Sequence, residues 1–101
     1  MLLLGILGIA LAAQSGPGVL GFGMGSVSCA TAWEPVNERA SAEWVLGFWS
    51  GRNWERGGQI GLSTDRAGIL AEVKLACANA PSMNLTQATF KLYDRMSKDR
   101  R

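Results

Sequence analysis

Two side chains in this sequence can form a covalent bond with each other: Cys29 and Cys77, its only cysteines. A zinc site needs about four ligands, and the chain has no histidine to make up the number. A reactive thiol would need a base or cation beside it, and the sequence places none. One disulfide is the chemistry these residues favour. Hydrolytic chemistry finds even less. Without histidine the serines lack the usual base. Glu34, Glu38 and Glu43 fall close together, but carboxylates spaced along a helix surface are ordinarily solvated. The stretch Gly51-Arg52-Asn53-Trp54-Glu55-Arg56-Gly57-Gly58 matches neither a phosphate loop nor a dinucleotide fingerprint. The glycines of Gly21-Phe22-Gly23-Met24-Gly25 have no strand and helix around them. The chain therefore reads as a non-enzyme with no catalytic residue, no metal site and no cofactor. Recognition is what remains. Trp54 stands where an apolar helix turns charged, between Arg52 and Arg56, and Trp and Arg are enriched at binding hot spots. These three are the candidate protein-contact residues.

The first charged residue is Glu34, and the whole chain of 101 residues carries a net charge of +2. Basic and acidic residues are interleaved, so there is no nucleic-acid footprint. Leu2 to Ala13 form a short apolar run. It is shorter than the roughly 20 residues a membrane span needs and suits the core of a signal peptide. Ala10-Leu11-Ala12 offers a cleavage pattern, although no Lys or Arg precedes the run. Residues 1–13 are read as a signal peptide and 14–28 as a Gly-rich flexible spacer. Val19, Leu20, Phe22 and Met24 either extend the apolar signal or pack on the domain. A helical domain follows over 29–101, and the address implied is periplasmic.

The elements of that domain come from periodicity and punctuation. A short first helix is expected over 29–37, capped by Ser28 or Thr31. The main helix is expected from about Arg39 to Arg56, stopped by Gly57-Gly58. At 100° per residue, Trp44, Val45, Phe48 and Trp49 share a broad apolar face, with Gly47 and Gly51 beside it where a neighbouring backbone has room to approach. So wide a face predicts the central helix of a bundle. A third helix, capped from Ser63-Thr64-Asp65 and ended by Pro81, carries Ile69, Leu70, Val73, Ala76, Cys77 and Ala80 on one stripe. Asn84 caps a fourth with Leu85, Ala88, Leu92 and Met96 on one side. The fold class is all-α: a small bundle of about four helices with one disulfide, after an N-terminal signal segment. Its expected core is Trp33, Trp44, Phe48, Trp49, Ile69, Val73 and Leu92. Because Cys77 lies within an apolar stripe, Cys77→Ser is expected to cost more than Cys29→Ser.

An export signal, Ser28-Cys29 with Trp33 after it, Trp44-Val45-Leu46-Gly47-Phe48 with Ser50-Gly51, and Ala76-Cys77-Ala78-Asn79-Ala80-Pro81 before a last amphipathic helix together resemble the HdeA/HdeB-like family of small periplasmic proteins. The resemblance covers about Cys29 to Met96. It implies an all-helical domain closed by a Cys29–Cys77 disulfide and an acid-stress chaperone that holds unfolding clients. A second resemblance is carried by Leu46-Gly47-Phe48-Trp49-Ser50-Gly51. It is similar to the Tai/Rap immunity proteins of type VI secretion, which implies specific blocking of a cell-wall hydrolase. The partners expected are thus a protein or unfolded clients and no nucleic acid. A membrane enters only if the signal segment is retained, and a homodimer is left open.

Overall fold

A computed structural model describes residues 21–99. The signal segment 1–13 and residues 14–20 of the spacer lie outside the described residues. Among the described residues there are four helices: α1 (Cys29–Ala32), α2 (Glu38–Arg56), α3 (Arg66–Asn79) and α4 (Leu85–Lys98). Two 3-10 turns accompany them, at Gly23–Ser26 and Pro35–Asn37. Among the described residues there is no strand, only one isolated bridge between Ser28 and Asn84.

Local chemistry sets the helix ends. The Ser28 side chain accepts from the Thr31 N–H, and Asp65 accepts from the Gly68 N–H. Asn84 and Gln87 form a reciprocal capping box at α4. Gly57 closes α2 with φ of 63°, the left-handed conformation that glycine adopts without a Cβ penalty. The first helix is shorter than its expected span of 29–37 and stops at Ala32. Pro35 disfavours helical geometry at the residue before it, and Glu34 is extended, at φ −61° and ψ 146°. The chain then re-enters helical geometry through a 3-10 turn with proline near its start.

Burial moves the centre of the bundle from α2 to α4. Helix α4 buries seven residues out of 14, Leu85, Thr86, Ala88, Thr89, Leu92, Tyr93 and Met96, whereas α2 buries four out of 19. The core joins Val45 and Trp49 of α2, Ile69 and Val73 of α3, Leu85, Ala88, Leu92, Tyr93 and Met96 of α4, and both cysteines. Trp33 and Trp44 are half-buried at its margin. Phe48 is half-buried too, stacked on Trp44 with ring centroids 5.4 Å apart. Gly47 and Gly51 do not admit a neighbouring backbone: nothing lies within 4 Å of where a Cβ would sit on either. They face away from the core because α2 is covered along one side only.

The glycine-rich stretch is part of the fold over its described length. Gly25 is buried, and Met24 and Val27 pack against the core. Thr86 Oγ1 donates to the Gly25 carbonyl at 2.8 Å. The Leu85 N–H donates to Val27 O at 3.0 Å, the Cys29 N–H to Met83 O at 2.7 Å and the Ala30 N–H to Pro81 O at 3.0 Å. A spacer over 14–28 is therefore corrected for residues 21–28. Glycine here serves close approach: a Cβ on Gly25 would run into the Trp44 indole and the Thr86 hydroxyl. Single-sequence periodicity cannot distinguish that use of glycine from flexibility.

Candidate functional site

The covalent site is the disulfide. Cys29 and Cys77 are bonded, 48 residues apart in sequence, with Cα atoms 5.0 Å apart. The bond ties α1 to the last turn of α3. Both cysteines are almost fully buried, so the expected asymmetry between them disappears: a hydroxyl at either position would sit in the same core. A structural disulfide fits an oxidising, exported environment. Among the described residues, no helix is long and apolar enough to cross a membrane.

The candidate contact residues divide between two sides of α2. Positions 52 and 56 project toward α4. The Arg52 guanidinium lies 5.4 Å from the ring centroids of both Phe90 and Tyr93 and pairs with Glu55 at 3.0 Å. Arg56 lies 6.0 Å from the Tyr93 centroid. At about 100° per residue, Trp54 is roughly 200° round the helix from Arg52. It points away from α4 and is 88% exposed. A single Arg52–Trp54–Arg56 patch is therefore corrected. The two arginines cover aromatic rings within the fold, where cation–π attraction and stacking hold them. Of these three residues, Trp54 is the one that presents a large apolar surface outward.

Trp54 borders a shallow hollow of about 570 Å³ lined with Ser50, Asn53, Gly57 and Gly58. This continues into a groove of about 480 Å³ between α2, the 57–65 loop and the start of α3, with Leu46, Trp49, Ile60 and Ile69 among its walls. Leu62, 74% exposed, also lines that groove.

Asn53 holds the loop that forms the groove. Its side-chain amide donates to the Ile60 carbonyl at 3.1 Å, and its carbonyl oxygen accepts from the Ile60 N–H at 3.1 Å. The same oxygen accepts from the Tyr93 hydroxyl at 2.8 Å, while Trp49 Nε1–H donates to Ile60 O at 2.7 Å. The loop is thus latched to α2 and α4 through one amide group. The sequence alone gives Asn53 no role and does not single out Leu62. The available signal was an asparagine one turn after Trp49, on the side where a chain leaving Gly57-Gly58 returns.

Ion pairs join separate helices among the described residues. Lys74 of α3 pairs with Glu38 at the start of α2, and Arg95 of α4 pairs with Glu72 of α3 at 3.5 Å. Among the described residues, no three of His, Cys, Asp or Glu gather as metal ligands would. Comparison of the chain with protein-family models, with curated proteins and with solved structures gives no match.

Proposed function

We propose that this chain is a small exported protein-binding domain that engages a specific folded partner through the face around Trp54, in the manner of an immunity or inhibitor protein of a cell-wall hydrolase. The observation that carries the reading is Trp54 itself, 88% exposed beside an open groove whose loop is latched in place by Asn53. Burying such an indole in a partner supplies a hot-spot anchor, and a preformed loop reduces the ordering cost of binding. The test is recovery of a stoichiometric partner from periplasmic extract by the mature protein and by Trp54→Ala. Loss of a hot spot weakens binding by about 2 kcal/mol or more, so the variant is expected to lose the partner while keeping its helical content and melting temperature. Recovery of no stoichiometric partner, or equal recovery by both proteins, overturns the reading.

A second reading, an HdeA/HdeB-like acid-stress chaperone of the periplasm, draws on a different observation. The cross-helix pairs Glu38–Lys74 and Glu72–Arg95 each depend on an ionised carboxylate, and all four side chains reach solvent. Complete carboxyl protonation moves the side-chain net charge from +2 to +10. The pairs are then lost and self-repulsion grows, while the disulfide limits expansion. At acid pH the protein is expected to bind a hydrophobic dye and to suppress aggregation of a model client. A chain that stays compact in acid and protects nothing removes this reading.

A further inference from the structure

Along the uncovered side of α2, Glu43, Gly47, Ser50 and Trp54 fall within about 60° of one another at 100° per residue. All four are exposed. The row therefore runs from a carboxylate, over two short residues, to one indole. Beside its first half lies an apolar hollow of about 430 Å³, walled by Gly21, Phe22, Glu43, Trp44, Gly47 and Phe48. The Trp44 and Phe48 rings stack on one side of it, and Phe22, 75% exposed, stands on another. Knob and hollow thus share one side of one helix, about 13 Å apart along its axis at 1.5 Å per residue.

Each feature has what the other lacks. Trp54 offers an apolar ring system with one N–H, and a buried indole needs an acceptor for that N–H. The hollow offers aromatic walls and, among them, the Glu43 carboxylate. A second copy of the chain satisfies both needs, because a twofold axis makes every contact twice. With the axis beside Ser50, the two α2 helices run antiparallel and each Trp54 reaches the hollow of the other copy. The residues around the axis are Gly47, Ser50 and Gly51, and nothing lies within 4 Å of a Cβ built on either glycine. Short side chains at a helix crossing let the two backbones approach closely. Uncovered aromatic surface on both parts then leaves water in one step.

We infer that the chain forms a twofold dimer across the outer side of α2. Trp54 of each copy inserts between Phe22 and the Trp44–Phe48 pair of the other, and its indole N–H donates to Glu43. The inference goes beyond the binding role proposed above and does not rest on it. Where both hold, the second copy covers Trp54 until the other partner displaces it.

The experiment is sedimentation equilibrium of the exported chain, purified alone, from about 1 μM to 1 mM, a range suited to a small interface. The mass is expected to rise from one chain to two. Trp54→Ala and Phe22→Asp, both changes of exposed side chains, are each expected to weaken dimerisation by at least about 30-fold with helical content unchanged. Mixed in equal amounts, the two variants keep one intact knob and one intact hollow between them. The mixed pair is therefore expected to associate about 30-fold more tightly than either variant does with itself. A one-chain mass throughout, dimerisation that survives Trp54→Ala, or a mixture no tighter than the separate variants overturns the inference. Because the protein is tested without extract, each of these outcomes is distinct from the recovery or loss of another partner.

Discussion

Glycine has opposite meanings at different positions in this chain, and substitution separates them. Gly25 has no room for a methyl group, since the Trp44 indole and the Thr86 hydroxyl occupy the space. Gly25→Ala is expected to destabilise by about 1–3 kcal/mol, as overpacking does. Gly47 and Gly51 sit within α2 with nothing near them. Gly47→Ala and Gly51→Ala are each expected to stabilise by about 0.5–1 kcal/mol through the helix propensity of alanine. Urea unfolding of the three variants checks both signs. The cysteines make a matched pair instead. Because both are buried, Cys29→Ser and Cys77→Ser are expected to cost similar amounts, about 2–5 kcal/mol each. Thermal unfolding of the two single variants tests this, and a marked difference between them would show that the two environments are not equivalent. A domain of this size has roughly 5–15 kcal/mol in total, so either change is a large fraction of what holds it folded.

At the level of elements, the 57–65 loop depends on one side chain. Asn53→Ala strips hydrogen bonds from the Ile60 N–H, the Ile60 carbonyl and the Tyr93 hydroxyl, although Trp49 still reaches Ile60 O. The expected cost is about 1–3 kcal/mol, with faster hydrogen exchange at the Ile60 amide, while exchange within α4 follows only the global loss of stability. The helices themselves were largely legible. Gly57-Gly58, Asp65, Pro81 and Asn84 end or begin them through chemistry confined to a few neighbouring residues, and a sequence displays such neighbours directly. The pairing of Cys29 with Cys77 was legible for a different reason, since elimination left no other use for two cysteines. What periodicity could not supply was the identity of each element's neighbour. The apolar arc of α2 suggested a central helix, yet the arc is partly covered by the segment before α1, and α4 takes the centre. Arg52 and Trp54 are two positions apart in sequence but lie on opposite sides of a cylinder. Asn53 reads as one more polar position until the loop that returns to it is known.

At the scale of the whole molecule, four backbone positions among the first described residues bond into the last third of the chain. Gly25, Val27, Cys29 and Ala30 bond to Thr86, Leu85, Met83 and Pro81, and the Cys29 sulfur finds Cys77. The disulfide and these hydrogen bonds form a seam between the beginning of the domain and its last third. That seam sets an order of events. A chain made or exported N-terminus first delivers residues 21–32 early, but the seam partners of Gly25, Val27, Cys29 and Ala30 follow roughly 50 residues later. The seam is therefore among the last parts of the described fold to close. Until α4 has emerged, Trp49 has the 57–65 loop on one side but lacks Tyr93, whose ring packs edge-on to it at 5.0 Å. The seam between the two ends of the domain thus closes only when the tail arrives.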